Sequence, residues 1–95
     1  MDIQHKQYEK NGSFFVESEG KKLAKLSYSF KTPEILTIEH TVVDPSLRGK
    51  NVGLQLVNKA VDFARENKLT IIAECPFAKT VFEKHPDVYN DILFK

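Results

Sequence analysis

The stretch from Ile35 to Ala73 limits what this chain can fold into more than any other part of it. Ile35 to Val43 (ILTIEHTVV) is rich in β-branched residues and alternates Leu36, Ile38, His40 and Val42 against Thr37, Glu39 and Thr41, the two-residue period of a strand. From Val52 to Glu66 the period changes. Val52, Leu54, Leu56, Val57, Ala60, Val61, Phe63 and Ala64 fill one arc of a helical wheel, Gln55, Asn58, Lys59, Asp62, Arg65 and Glu66 fill the other, and Asn67 is a left-handed stop. Leu69 to Ala73 (LTIIA) then reads as a short strand buried on both faces. A strand, helix, strand unit places its strands parallel and gathers ligands at their carboxyl ends, here Val43 and Cys75.

The flanks complete an α/β (α+β) domain spanning residues 1–95. Ser13 to Ser18 and Lys22 to Phe30 read as strands of a meander, with turns at Glu19-Gly20-Lys21 and Lys31-Thr32-Pro33-Glu34. Pro76 suits the first position of a second helix whose apolar stripe is Phe77, Ala78, Val81, Phe82 and His85, and Pro86 stops it. Ile92 to Phe94 is expected as a short last strand. A chain of 95 residues with 41% apolar content supports one core. Net charge is +1 with both signs interspersed, which argues against a nucleic-acid partner. No apolar run reaches the length of a membrane span, and the start MDIQHKQYEK has no apolar core of a signal peptide, so no membrane partner and a cytoplasmic location are expected. The lone Cys75 fits a reducing compartment, and a monomer or weak homodimer is expected. No set of His, Cys, Asp and Glu has metal-ligand spacing.

Between the best strand and the best helix runs Asp44-Pro45-Ser46-Leu47-Arg48-Gly49-Lys50-Asn51-Val52-Gly53. Gly49, Asn51 and Gly53 accept positive φ and let successive N–H groups turn toward one point. The loop opens a helix, whose first amides lack intrahelical partners and whose dipole favours negative charge. Arg48 and Lys50 add cations suited to phosphate. The bland reading is a tight connection with two solvated cations. The spacings GxxxxGK[ST] and GxGxxG are both absent, which disfavours a nucleoside triphosphatase or a dinucleotide fold.

Arg48-Gly49-Lys50-Asn51-Val52-Gly53 resembles the pyrophosphate loop Arg/Gln-x-x-Gly-x-Gly/Ala of the GCN5-related N-acetyltransferases, with Asn51 in place of the central Gly. Cys75-Pro76-Phe77-Ala78-Lys79-Thr80-Val81-Phe82 matches in outline the family's later Asn-x-x-Ala-x-x-(Leu)-Tyr helix, with Cys75 at the Asn and Phe82 at the Tyr. The cysteine-led helix and the His85-Pro86-Asp87-Val88-Tyr89 ending are similar to the family's short YjdJ-type subgroup, and the resemblance spans roughly residues 10 to 94. It implies a compact acyl-CoA N-acyltransferase fold: a mixed, mostly antiparallel sheet with a parallel β-α-β unit and two helices. Acetyl-CoA would be the cosubstrate and an amine the acceptor. Leu47, Arg48, Gly49, Lys50, Asn51, Val52 and Gly53 would hold the pyrophosphate, and Thr41, Val42 and Val43 would lie along the pantetheine arm.

The candidate catalytic residues are Cys75, His40 and Glu39. Cys75, as N-cap of the second helix, would have its thiolate favoured by the dipole and could carry an acetyl group, whereas the bland alternative is a small buried hydrophobe. The base is His40, an imidazole that titrates near neutrality, or Glu39 on the opposite face; the bland alternative for His40 is a core histidine beside Leu36, Ile38 and Val42. His5 and His85 read as structural. Phe82 cannot serve as the acid that a Tyr there would be, so a non-catalytic acyl-CoA-binding or interaction module is the competing function.

Overall fold

The computed structural model describes residues 2–47 and 49–94. Five strands lie side by side in chain order: β1 (Gln4–Gln7), β2 (Asn11–Ser18), β3 (Lys21–Thr32), β4 (Ile35–Val43) and β5 (Thr70–Ala73). The first four pair antiparallel and β5 runs parallel to β4. A 3₁₀ turn (Pro45–Leu47) leads to α1 (Val52–Glu66); α2 (Pro76–Lys84) and α3 (Pro86–Tyr89) follow β5. The expected meander, parallel unit and two longer helices are therefore present.

One cluster of buried residues joins a single face of the sheet to the helices. Phe14, Val16, Ala24, Leu26, Tyr28, Leu36 and Ile38 meet Leu56, Val57, Ala60, Val61 and Ala64 of α1 and Ala78, Val81 and Phe82 of α2. Phe15, on the other face, is buried beneath the ammonium groups of Lys22 and Lys6, 4.9 and 5.9 Å from its ring centroid. The aliphatic stems of lysine cover the ring and the cations sit over its electron-rich face.

Strand β1 is absent from the sequence reading because QHKQ is exposed along its length and has no apolar alternation. Tertiary contacts hold it. His5 stacks on Phe14 at 4.1 Å, and its Nε2 lies 2.6 Å from the Tyr28 hydroxyl. Burial pushes the His5 imidazole down and the Tyr28 phenol up to about 12. The next strand starts with a close approach: a Cβ on Gly12 would lie 2.5 Å from the Lys6 carbonyl oxygen and 2.6 Å from Tyr28 Cζ. Backbone cannot yield as a side-chain tip can. Gly12→Ala is expected to cost about 1–3 kcal/mol, read from the denaturant midpoint.

Three expectations are corrected around the helices. Asn67 is not the left-handed residue after α1; Lys68 is, with φ 57°, while Asn67 returns its backbone and side-chain N–H to the Phe63 carbonyl. Phe77 and His85 leave the apolar stripe of α2, since both are exposed. Pro86 ends α2 but also opens α3, because a fixed φ and a missing N–H suit a first helical position. In the tail, Ile92 to Phe94 makes a single parallel bridge, Leu93 to Ile71, rather than a full strand.

Candidate active site

Strand β4 changes face at Glu39. Tyr28 of β3 pairs with Ile38 and the preceding Ser27 pairs with His40, so Glu39 is the extra residue of a β-bulge. Before the bulge, Leu36 and Ile38 are fully buried against the helices. After it the alternation is inverted: Thr41 and Val43 pair with the core residues Leu26 and Ala24, while His40 is exposed and Val42 is 65% exposed. His40 thus does not share a face with Leu36 and Ile38, and the core-histidine reading fails. The strict two-residue period carries no sign of an inserted residue.

The bulge is also where β4 and β5 part. Their register ends with Ile38 opposite Ala73, and the Ile38 carbonyl accepts both the Glu74 and Cys75 amides at 3.0 and 3.1 Å. Beyond it, Thr41 to Val43 has β3 on one side and, among the described residues, no strand on the other. A strand edge with no ladder partner results, bounded across the gap by the start of α2, and the Thr41 N–H on it turns toward the Cys75 sulfur.

Cys75 stands at the base of that gap as the N-cap of α2, 4% exposed, with its Sγ 3.4 Å from Thr41 Oγ1. Burial pushes its thiol up, but the Thr41 hydroxyl and the first-turn amides of Ala78 and Phe77 outweigh it, so the thiol titrates below its usual value. No N-cap hydrogen bond to the sulfur is closed. The Ala78, Phe77 and Thr41 amides nonetheless point toward the sulfur and favour its thiolate, and Thr41 Oγ1 makes the closest side-chain contact. A thiolate absorbance titration, with Cys75→Ala as blank, is expected to show a midpoint below that of free cysteine. With the folded pKa depressed, the thiolate's stabilisation is present above the unfolded-state pKa and lost as pH falls through the folded one. The stability gap between the parent and Cys75→Ala should accordingly widen as pH rises through that window.

The loop after β4 has the backbone that anion binding requires. Gly49 has φ 84° and Asn51, the N-cap of α1, has φ 57° and ψ 30°. Asn51 thus takes the left-handed turn that glycine would take, as expected. The first amide bonded onto this helix is that of Gln55, to the Asn51 carbonyl at 3.0 Å, which leaves the Val52, Gly53 and Leu54 amides ahead of the ladder. Leu47 and Val52 are buried and anchor the loop, and Lys50 is exposed beside it. Arg48 lies outside the described residues. Asp44 accepts the Ser46 amide at 2.9 Å, and that bond holds its carboxyl below the usual range. Gly53 carries a constraint invisible in the sequence: a Cβ there would lie 2.8 Å from Phe77 Cζ, so α1 and α2 approach across this glycine. Free amides, positive φ and an acid-free first turn fit a pyrophosphate.

Sequence reasoning missed two other pairings. Phe82 is buried edge-on against Tyr89 at 5.0 Å, and the Tyr89 hydroxyl donates to Asn58 Oδ1 at 2.6 Å. Neither partner has a local signature, since they lie 31 residues apart. Among the described residues no helix is long and apolar enough to cross a membrane, and no group of three or more His, Cys, Asp or Glu could hold a metal ion.

Comparison with known proteins agrees with this arrangement. The GCN5-like candidate N-acetyltransferase of Staphylococcus aureus, solved by NMR, is similar with a TM-score of 0.71 and 38% identity over 96% of this chain and 87% of that one. The ribosomal-protein-alanine N-acetyltransferase of Brucella melitensis biovar Abortus shares the fold at a TM-score of 0.63 and 18% identity, over 93% of this chain and 64% of its own. An aminoglycoside N-acetyltransferase in complex with coenzyme A does so at 0.60 and 16%, over 93% and 70%. No functionally curated protein matches significantly. The family model of the GCN5-related N-acetyltransferases matches residues 13–92, from β2 through the parted strands and the loop to the tail, and the chain therefore belongs to that family.

Proposed function

We propose that this chain transfers an acetyl group from acetyl-CoA to an amine in the gap between β4 and Cys75. The observation that carries the reading is the parting of β4 from β5 at the Glu39 bulge, with a cysteine of lowered pKa at its base and free helix-opening amides at its end. The backbone of residues 47 and 49–53 would bind the pyrophosphate, Arg48 and Lys50 adding charge, and Thr41 to Val43 would offer backbone groups to the pantetheine arm. Acetyl-CoA supplies an activated acyl thioester. Glu39 or His40 takes the proton of the acceptor ammonium, and both stand on β4 within two residues of Thr41.

Two routes are open to Cys75. In the direct route it lies beside the thioester as a polar neighbour. In the covalent route its thiolate forms a new thioester as the coenzyme thiolate leaves, and the amine then displaces it. The lowered thiol pKa favours the covalent route. Phe82 offers no proton to the departing thiolate and the Tyr89 hydroxyl is bonded to Asn58, so solvent in the open gap supplies it.

The test is incubation with acetyl-CoA, first without and then with amines. A rise in melting temperature with acetyl-CoA, then thiol release that depends on the amine, supports the reading; no rise at millimolar acetyl-CoA defeats it. Addition of one acetyl mass to the intact protein, absent in Cys75→Ala, marks the covalent route.

A further inference from the structure

The bulge has a second consequence on the helix-free face of the sheet. A depression of about 270 Å³ opens there, lined by Glu39, Lys25, Ser13, Ser27, Tyr8 and Asn11 among others. It holds one carboxylate and one ammonium that do not meet: among the described residues the only ion pair is Arg65 with Asp91, on the other side of the fold. The six side chains make no hydrogen bond to another described residue. Their donors and acceptors, hydroxyls included, are free for a ligand. A larger cavity, about 580 Å³ around Phe30, Lys31 and Pro33, lies toward the β3–β4 turn and contains none of the reacting residues.

The depression is tied to the reaction by chain geometry. Glu39 precedes Thr41 by two residues, a strand rise of about 7 Å. Thr41, which touches the Cys75 sulfur, faces the helices. Among the described residues, however, no strand flanks β4 beyond Ile38 on the β5 side, so the gap is reached from the helix-free face around this edge. An amine held by Glu39 is thus within one small molecule's length of the gap between β4 and β5. Lys25 determines what else that molecule carries. Its ammonium repels a second cation and attracts an anion, so a polyamine is disfavoured and a group with a carboxylate is favoured.

Resting on the acetyl-transfer reading above, we propose that this depression is the acceptor site and that its substrate is a small zwitterionic amine, an amino acid or a near relative. Glu39 receives the ammonium and Lys25 the carboxylate. In the transfer the ammonium gives one proton to Glu39, its nitrogen bonds to the acetyl carbon and the carbon–sulfur bond breaks. The second nitrogen proton passes to solvent, which protonates the departing thiolate, and the proton on Glu39 likewise returns to solvent.

The experiment offers the full chain acetyl-CoA with alanine, β-alanine, alaninamide, spermidine and a capped lysine peptide, reading thiol release and the mass of the N-acetyl product. Alanine or β-alanine is expected to exceed alaninamide in kcat/KM by roughly tenfold or more. Lys25→Met should erase that preference through KM, Lys25→Arg should keep it, and Lys25→Glu should turn it toward spermidine; melting temperatures in buffer confirm that the variants fold. Equal use of alanine and alaninamide, a parent preference for spermidine or the peptide, or a preference that survives Lys25→Met overturns the proposal. So does absence of product from every amine, and the melting shift with acetyl-CoA then tells whether cosubstrate binding fails with it.

Discussion

Gly53→Glu is expected to abolish the stabilisation of this protein by acetyl-CoA. At about 100 times its Kd, a ligand that binds only the native state adds roughly 2.7 kcal/mol, and that increment should vanish in the variant. Two effects combine. The new Cβ meets the Phe77 ring at 2.8 Å, forcing the exposed ring aside. The new carboxylate then lies among the helix-opening amides, where it competes with and repels a pyrophosphate. Gly53→Ala separates them, since a methyl group displaces only the exposed end of the Phe77 ring and brings no charge. The alanine variant should keep most of the acetyl-CoA shift; a glutamate variant that also keeps it would place the pyrophosphate elsewhere.

Cys75→Ala is expected to lower amine-dependent thiol release by about 10²–10⁴-fold while leaving acetyl-CoA binding within a few-fold of the parent. The sulfur sits against Thr41 and the first turn of α2, whereas the amides that would hold the phosphates belong to the loop that follows Val43 and to the first turn of α1. Cys75→Ser retains a group able to bond Thr41 but loses the soft nucleophile. If serine restores the rate, Cys75 positions rather than carries the acetyl group. If both variants turn over at the parent rate, the thiol has no part in the chemistry. Thr41→Val removes the hydroxyl that helps hold the thiol down, and the thiolate midpoint should move up in consequence.

Much of the architecture was legible because its signals are local. β4 and α1 have the bounds that residue patterning assigns them, since a β-branched run and a 3.6-residue stripe are each written within one window. The loop was legible for the same reason: Gly49 and Asn51 adopt positive φ because those residue types do so at little cost, whatever surrounds them. The position of Cys75 ahead of Pro76 fixed its place at a helix start.

What the sequence left open is what two distant segments decide together. The bulge at Glu39 is a mismatch between β3 and β4, so alternation within β4 alone put His40 on the buried face when pairing with Ser27 puts it on the open one. Strand β1 has no pattern of its own and exists because His5 finds Phe14 and Tyr28. The contact of Thr41 with Cys75, the pressure of Phe77 on Gly53, and the placing of Lys25 and Glu39 on one depression likewise join residues far apart in the chain. Backbone preference and hydrophobic period are properties of a short window, and they determined the elements and the loop. Register, bulge and the approach of one helix to another are set by packing across the whole chain, and they alone decided which groups face the gap between β4 and β5.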